Sequence, residues 1–90
     1  MAGLRRYKGL KVEVRLFSTL TRHLPEGSSN KSAVIEVPEG ATLGDVIEHL
    51  GIPSNVAHLT IINGHHRRDR GVVLRDGDKV SIFPPVGGGA

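Results

Sequence analysis

The residues with the most chemistry to offer stand at the end of the chain, in "SIFPPVGGGA", Ser81 to Ala90. Gly87, Gly88 and Gly89 have no side chains, so the backbone there enters a narrow slot without clash and takes dihedral angles closed to other residues. Pro84 and Pro85 fix φ and lack amide donors, so they end a β-ladder and project the residues after them as a stiff, extended arm. From Pro85 to Gly89 such an arm reaches roughly 15 Å at about 3.3 Å per residue. These are the properties that a reactive carboxyl terminus needs, because an enzyme can close around it. Phe83, outward-facing just before the exit, then serves as an apolar anchor beside the arm. The plainer readings are an ordinary structureless terminus and, for Phe83, a half-buried strand aromatic.

Other chemistry is thinly supplied. The chain contains no cysteine, which excludes a disulfide framework, a cysteine-ligated metal and a cysteine nucleophile. Any sulfur chemistry must draw its sulfur from elsewhere. His49, His58, His65 and His66 are candidate metal ligands, but no pair of them has the i, i+4 spacing of a helical site and no carboxylate cluster accompanies them. No metal site and no cofactor are assigned. "HHRRDR", His65 to Arg70, concentrates much of the positive charge of a chain whose formal net charge is +3. A phosphate-binding loop is the sharper reading of that run, and a solvated basic turn is the reading adopted. With Tyr7, Phe17 and Phe83 as the only aromatics, there is little to stack on bases, so nucleic acid is not an expected partner.

The elements that must hold the tail are read from periodicity. "LKVEVRLF" alternates Leu10, Val12, Val14 and Leu16 against Lys11, Glu13 and Arg15, the period of two of a strand with one buried face. Ile35 and Val37 repeat it in "AVIEV", and these two strands are expected to be neighbours across a long loop in which "TLTRHL" forms at most a helical turn. Leu43, Val46, Ile47 and Leu50 then lie on one helical stripe, with Thr42 and Asp45 at capping-box spacing and Gly51 at the end. "LTII" reads as a strand and Asn63-Gly64 as a tight turn. A short extended piece is expected within Arg68 to Leu74. "RDGD" turns the chain again, and "KVSIF" points Val80 and Ile82 inward.

The expected fold is therefore α+β, a roll with a mixed sheet of about five strands and one main helix on one face. About a dozen aliphatics suffice for a two-layer core and leave no room for a deep active-site cavity. At 90 residues one domain is expected, with residues 1–9 a disordered basic arm, 10–86 the folded domain and 87–90 a flexible Gly-rich tail. No apolar run reaches the length of a membrane span or signal peptide, so a soluble, cytoplasmic protein is expected.

"LRDGDKVSIFPPVGGG", Leu74 to Gly89, resembles the closing motif of the MoaD/ThiS family of ubiquitin-like sulfur carriers, in which a DGD turn leads into the last strand, a Phe-Pro-Pro-Val exit and Gly-Gly. "VEVRLFSTL", "PEGATLGDVIEHLG" and "IING" are looser parts of the same likeness, which covers Leu10 to Gly89. The resemblance implies the ubiquitin-like β-grasp fold and, from its Phe-Pro-Pro form, a protein more similar to the small subunit of molybdopterin synthase than to the thiamin carrier. It also implies a protein substrate rather than an enzyme. A ubiquitin-activating-like adenylyltransferase (MoeB/ThiF-like) would adenylate the terminal glycine, and sulfur would replace the adenylate to give a thiocarboxylate. The tail, with Phe83, Pro84, Pro85, Val86, Gly87 and Gly88 as its partner-binding residues, would then enter the larger synthase subunit (MoaE-like) and donate sulfur to a pterin precursor.

In one respect the chain departs from that pattern: Ala90 follows Gly89 and would carry the carboxylate. The resemblance implies that Gly89 becomes the reacting residue after loss of Ala90, which requires a peptidase; otherwise the chain as written is inactive or Ala90 is an added residue. A ubiquitin-like modifier joined to lysines shares every feature above, as does a ThiS-like thiamin carrier. A nucleic-acid-binding β-grasp module would use the basic turn and ignore the tail.

Overall fold

The structure is a computed structural model and describes residues 9–25 and 31–85. The first alternating segment forms β1 (Gly9–Leu16), with Val12, Val14 and Leu16 buried. It pairs antiparallel with β2 (Ser32–Pro38), Val12 opposite Ile35 and Val14 opposite Ala33. On its other side it pairs in parallel with β5 (Lys79–Phe83), Val14 beside Val80 and Leu16 beside Ile82. β3 (Leu59–Ile62) runs antiparallel to β5, and β4 (His65–His66) closes the edge. The order is β2-β1-β5-β3-β4, a mixed sheet with the chain's last strand in its centre. One face carries Val12, Val14, Leu16, Ile62, Val80 and Ile82 into the core. Each such aliphatic contributes about 1.5–3 kcal/mol relative to exposure.

The helix α1 (Leu43–His49) covers that face through Leu43, Val46 and Ile47. Its start is fully partnered. Thr42 Oγ1 accepts from the Asp45 amide at 3.1 Å while Asp45 Oδ2 accepts from the Thr42 amide at 2.9 Å, the expected capping box. The amides of Leu43 and Gly44 donate to the carbonyls of Val72 and Arg70, both at 2.9 Å, so the donors that a helix start leaves open are satisfied by a neighbouring segment. At the other end Gly51, at φ +76°, reverses the chain. Its amide donates to Glu48 and that of Ile52 to Ile47, a Schellman closure.

Two expectations change. The short strand is β4, at His65–His66, and not within Arg68 to Leu74. Asn63 at φ +51° and Gly64 at φ +87° form a two-residue turn that places His65 opposite Ile62 at once, so pairing must resume immediately after the turn. The later segment serves the helix instead: besides accepting from Leu43 and Gly44, it donates from the Leu74 amide to Ala41 at 2.8 Å, and Val73 bridges Thr42. The second change concerns Arg70, which is half-buried and donates through Nη2 to the Ala57 carbonyl at 2.6 Å. It is a structural tie inside the basic run, whereas His65, His66, Arg67 and Arg68 are exposed as expected of a solvated turn. "TLTRHL" lies in a 3₁₀ helix over Ser18–His23, except for Leu24, which caps its end. β1 begins at Gly9, one residue inside the expected arm, the rest of which lies outside the described residues.

Candidate docking site at the C-terminal exit

β5 is held to its last residue on both flanks. The Ile82 carbonyl accepts from the Phe17 amide at 3.3 Å, and the Phe83 carbonyl accepts from the His58 amide at 3.0 Å. Pro84 and Pro85 come next without an amide hydrogen between them, so neither neighbour can extend the ladder. The strand thus stops at a fixed place with a fixed direction.

Its other end is clasped by the DGD turn. Asp76 Oδ1 accepts from the Lys11 amide at 2.8 Å, which ties the turn to β1. Asp78 Oδ2 accepts from the Arg75 amide at 2.8 Å, and Asp78 Oδ1 accepts from Asn63 Nδ2 at 2.8 Å. Asn63 Oδ1 in turn takes the Lys79 amide at 2.9 Å. Carboxylate acceptors make strong bonds of this kind, and here they lock the entry of β5 to β1 on one side and to the β3–β4 turn on the other. The motif positions the exit from the far end of the strand.

At the exit, Phe83 stacks on Phe17 with ring centroids 4.2 Å apart and planes inclined by 11°. Phe17 stands directly after β1, and Ser18 at φ +56° then turns the chain into the 3₁₀ helix. The Leu20 amide donates to the Phe17 carbonyl at 3.0 Å and the Leu20 side chain is buried, which anchors Phe17 from below. The two rings, with Leu59, Pro84 and Pro85, line an open apolar groove of about 540 Å³ rimmed by Ser18 and His58. Ser18 and His58 are the polar residues of a lining that is otherwise apolar.

Of the residues expected at the site, Phe83, Pro84 and Pro85 are brought together here. Val86, Gly87, Gly88, Gly89 and Ala90 lie outside the described residues. Phe17, Ser18, His58 and Leu59 were not expected. The available signal was Phe17 itself, an outward residue one step past the inward Leu16, at the end of a strand parallel to β5. His49, His58, His65 and His66 are all exposed, and among the described residues no group of three or more His, Asp or Glu gathers as metal ligands would.

A five-stranded mixed sheet in this order with one helix across it is the ubiquitin-like β-grasp. The sequence profile of the ThiS family matches residues 14–89, and the chain belongs to that family. Small archaeal modifier protein 3 of Haloferax volcanii is 32% identical over 96 residues, covering 89% of this chain and 100% of its own. A putative molybdopterin converting factor, subunit 1, from Pyrococcus furiosus superposes with a TM-score of 0.63 at 26% identity, covering 86% of this chain and 99% of that one. The complex of subunits 1 and 2 of molybdopterin-converting factor from Helicobacter pylori contains the same fold, with a TM-score of 0.56 at 22% identity over 86% of this chain and 96% of that one. No helix among the described residues is long and apolar enough to cross a membrane.

Proposed function

We propose that this chain is a sulfur carrier whose Gly89 carboxylate, freed by removal of Ala90, is adenylated and converted to a thiocarboxylate that donates sulfur in molybdopterin biosynthesis. The observation that carries this reading is the clamped end of β5: two flanking hydrogen bonds, then two prolines, beside an apolar groove built from Phe17 and Phe83. Such an exit presents a glycine tail to a partner's slot while the groove gives that partner a hold on the domain. The family match ends at residue 89, leaving Ala90 outside it.

The chemistry suits the composition. A carboxylate is a poor electrophile until AMP becomes its leaving group. One carboxylate oxygen attacks the α-phosphorus of ATP and pyrophosphate departs; a sulfide-equivalent nucleophile then attacks the acyl carbon and AMP leaves with that oxygen. The resulting thiocarboxylate is a nucleophile that needs no cysteine. The chain is the substrate in each step. Its partners are an adenylyltransferase of the ubiquitin-activating type, a peptidase acting on Ala90, and a larger synthase subunit, the last supported by the H. pylori complex of subunits 1 and 2.

A second reading is favoured by the 32% identity to small archaeal modifier protein 3: the same adenylated glycine would be joined to lysine amines of other proteins. Recovery of the chain from its source cell separates the two. A free chain whose intact mass shows a terminal oxygen replaced by sulfur supports the carrier. Recovery only as lysine conjugates, with no thiocarboxylate, would favour the modifier.

A further inference from the structure

The basic run from His65 to Arg70 is used only in part by the fold. Beside β3 and β4 it walls an open notch of about 220 Å³ whose lining includes His58, His66, Arg67, Arg68 and Arg70. The first four are exposed, and among the described residues none of their side chains meets a carboxylate. Asp69, the acid within the run, turns Oδ1 to the Gly71 amide at 2.8 Å and does not line the notch.

The cations stand on a braced backbone. The Arg67 amide donates to the Thr60 carbonyl at 2.9 Å, and the buried Thr60 hydroxyl donates back to the Arg67 carbonyl. Arg70 is fixed by the Ala57 carbonyl at 2.6 Å and meets that of Ser54 at 3.4 Å. The floor's polar groups are therefore spent within the protein, and the charge of the walls is left for a ligand. His58 and Leu59 line both this notch and the exit groove, which makes the two neighbours.

We propose that the notch receives aspartate or glutamate side chains from the same protein that covers the exit groove, so that one partner surface carries an apolar half for Phe17 and Phe83 and an acidic half for Arg67 and Arg68. This rests on the reading of the exit groove as a docking surface. The notch is below the usual range of about 300–1,000 Å³ for a drug-sized ligand, and it accommodates a carboxylate rather than a nucleotide. Phe17 and Phe83 each turn one ring face to the other, which disfavours the base stacking on which single-strand binding depends. Guanidinium forks pair carboxylates in two-point contacts, and charge pairs beside an apolar anchor fix orientation and raise association rate.

The test is a backbone-amide NMR titration of the full chain with the peptide acetyl-Leu-Ala-Glu-Glu-Glu-amide, its glutamine counterpart and a short oligouridylate. No ATP or activating enzyme is present, so a failure of sulfur transfer leaves the result untouched. The acidic peptide is expected to shift the amides of residues 58–60 and 66–70 together with Phe17 and Phe83. Combined Arg67→Glu and Arg68→Glu should weaken it by about tenfold or more with thermal stability unchanged, and Phe83→Ala should remove the shifts at the exit while leaving those at 66–70. Equal binding of the glutamine peptide, indifference to the two reversals, shifts confined to one half, or tighter binding of oligouridylate at the notch would each overturn the proposal.

Discussion

Phe17 and Phe83 stack face to face at 4.2 Å between centroids, although one stands just past the first strand and the other ends the last. The contact exists because β1 and β5 run parallel with Leu16 beside Ile82, so both strands deliver their next outward residue to the same end of the sheet. The stack therefore couples the groove to the sheet register, and the exit to the groove.

Replacing either ring with alanine should cost modest stability, since Phe17 and Phe83 are both half-buried. The double replacement should reveal a coupling of about 0.5–1.5 kcal/mol in chemical denaturation. Affinity for the activating enzyme should fall more, by about 2 kcal/mol or above, as for an interface anchor. Large destabilisation of Phe83→Ala with normal affinity would make the ring a core residue only.

Asp78→Ala removes the acceptor of both Arg75 and Asn63, and a loss of about 1–3 kcal/mol is expected from charged hydrogen bonds of this kind. Because the clasp sets the entry of β5, amide exchange at Asn63 and Lys79 should quicken as well. Unchanged denaturation and exchange would show that the DGD turn has no part in fixing the final strand.

The helix was fully legible because its signals are local: the stripe Leu43, Val46, Ile47, the Thr42–Asp45 box and Gly51 all lie within one short segment. The Asn63-Gly64 turn was legible for the same reason. The strand after it was not, because His65 and His66 have no apolar alternation and pair only through backbone register with Ile61 and Ile62. Arg70 looked like one more solvated cation because its partners, the Ala57 and Ser54 carbonyls, lie in an irregular loop. Four of the seven residues lining the candidate site shared this difficulty. Phe83, Pro84 and Pro85 declare themselves by sitting next to a glycine tail, while Phe17, Ser18, His58 and Leu59 reach them only through the parallel and antiparallel pairings of β5.

Gly88→Val probes the tail itself. A β-branched residue narrows the accessible dihedrals and adds width where a slot must close, so adenylation should be lost. On the proposed reading, in which Gly88 serves the partner's slot, the melting temperature should stay where it is. A lowered melting temperature would mean that Gly88 supports the fold.

The central claim is that Gly89 is the residue at which the chain is activated. Its most direct measurement is the intact mass of two purified forms, one ending at Ala90 and one at Gly89, after incubation with the activating enzyme of the same organism, ATP and a sulfur donor. A slot shaped for a terminal glycine must take a methyl group and a displaced carboxylate from the longer form, and a misplacement of about 1 Å costs on the order of a hundredfold in rate. The form ending at Gly89 is expected to exchange one terminal oxygen for sulfur while the longer form stays unchanged. Equal exchange in both forms with Ala90 retained, or exchange in neither, would contradict the account.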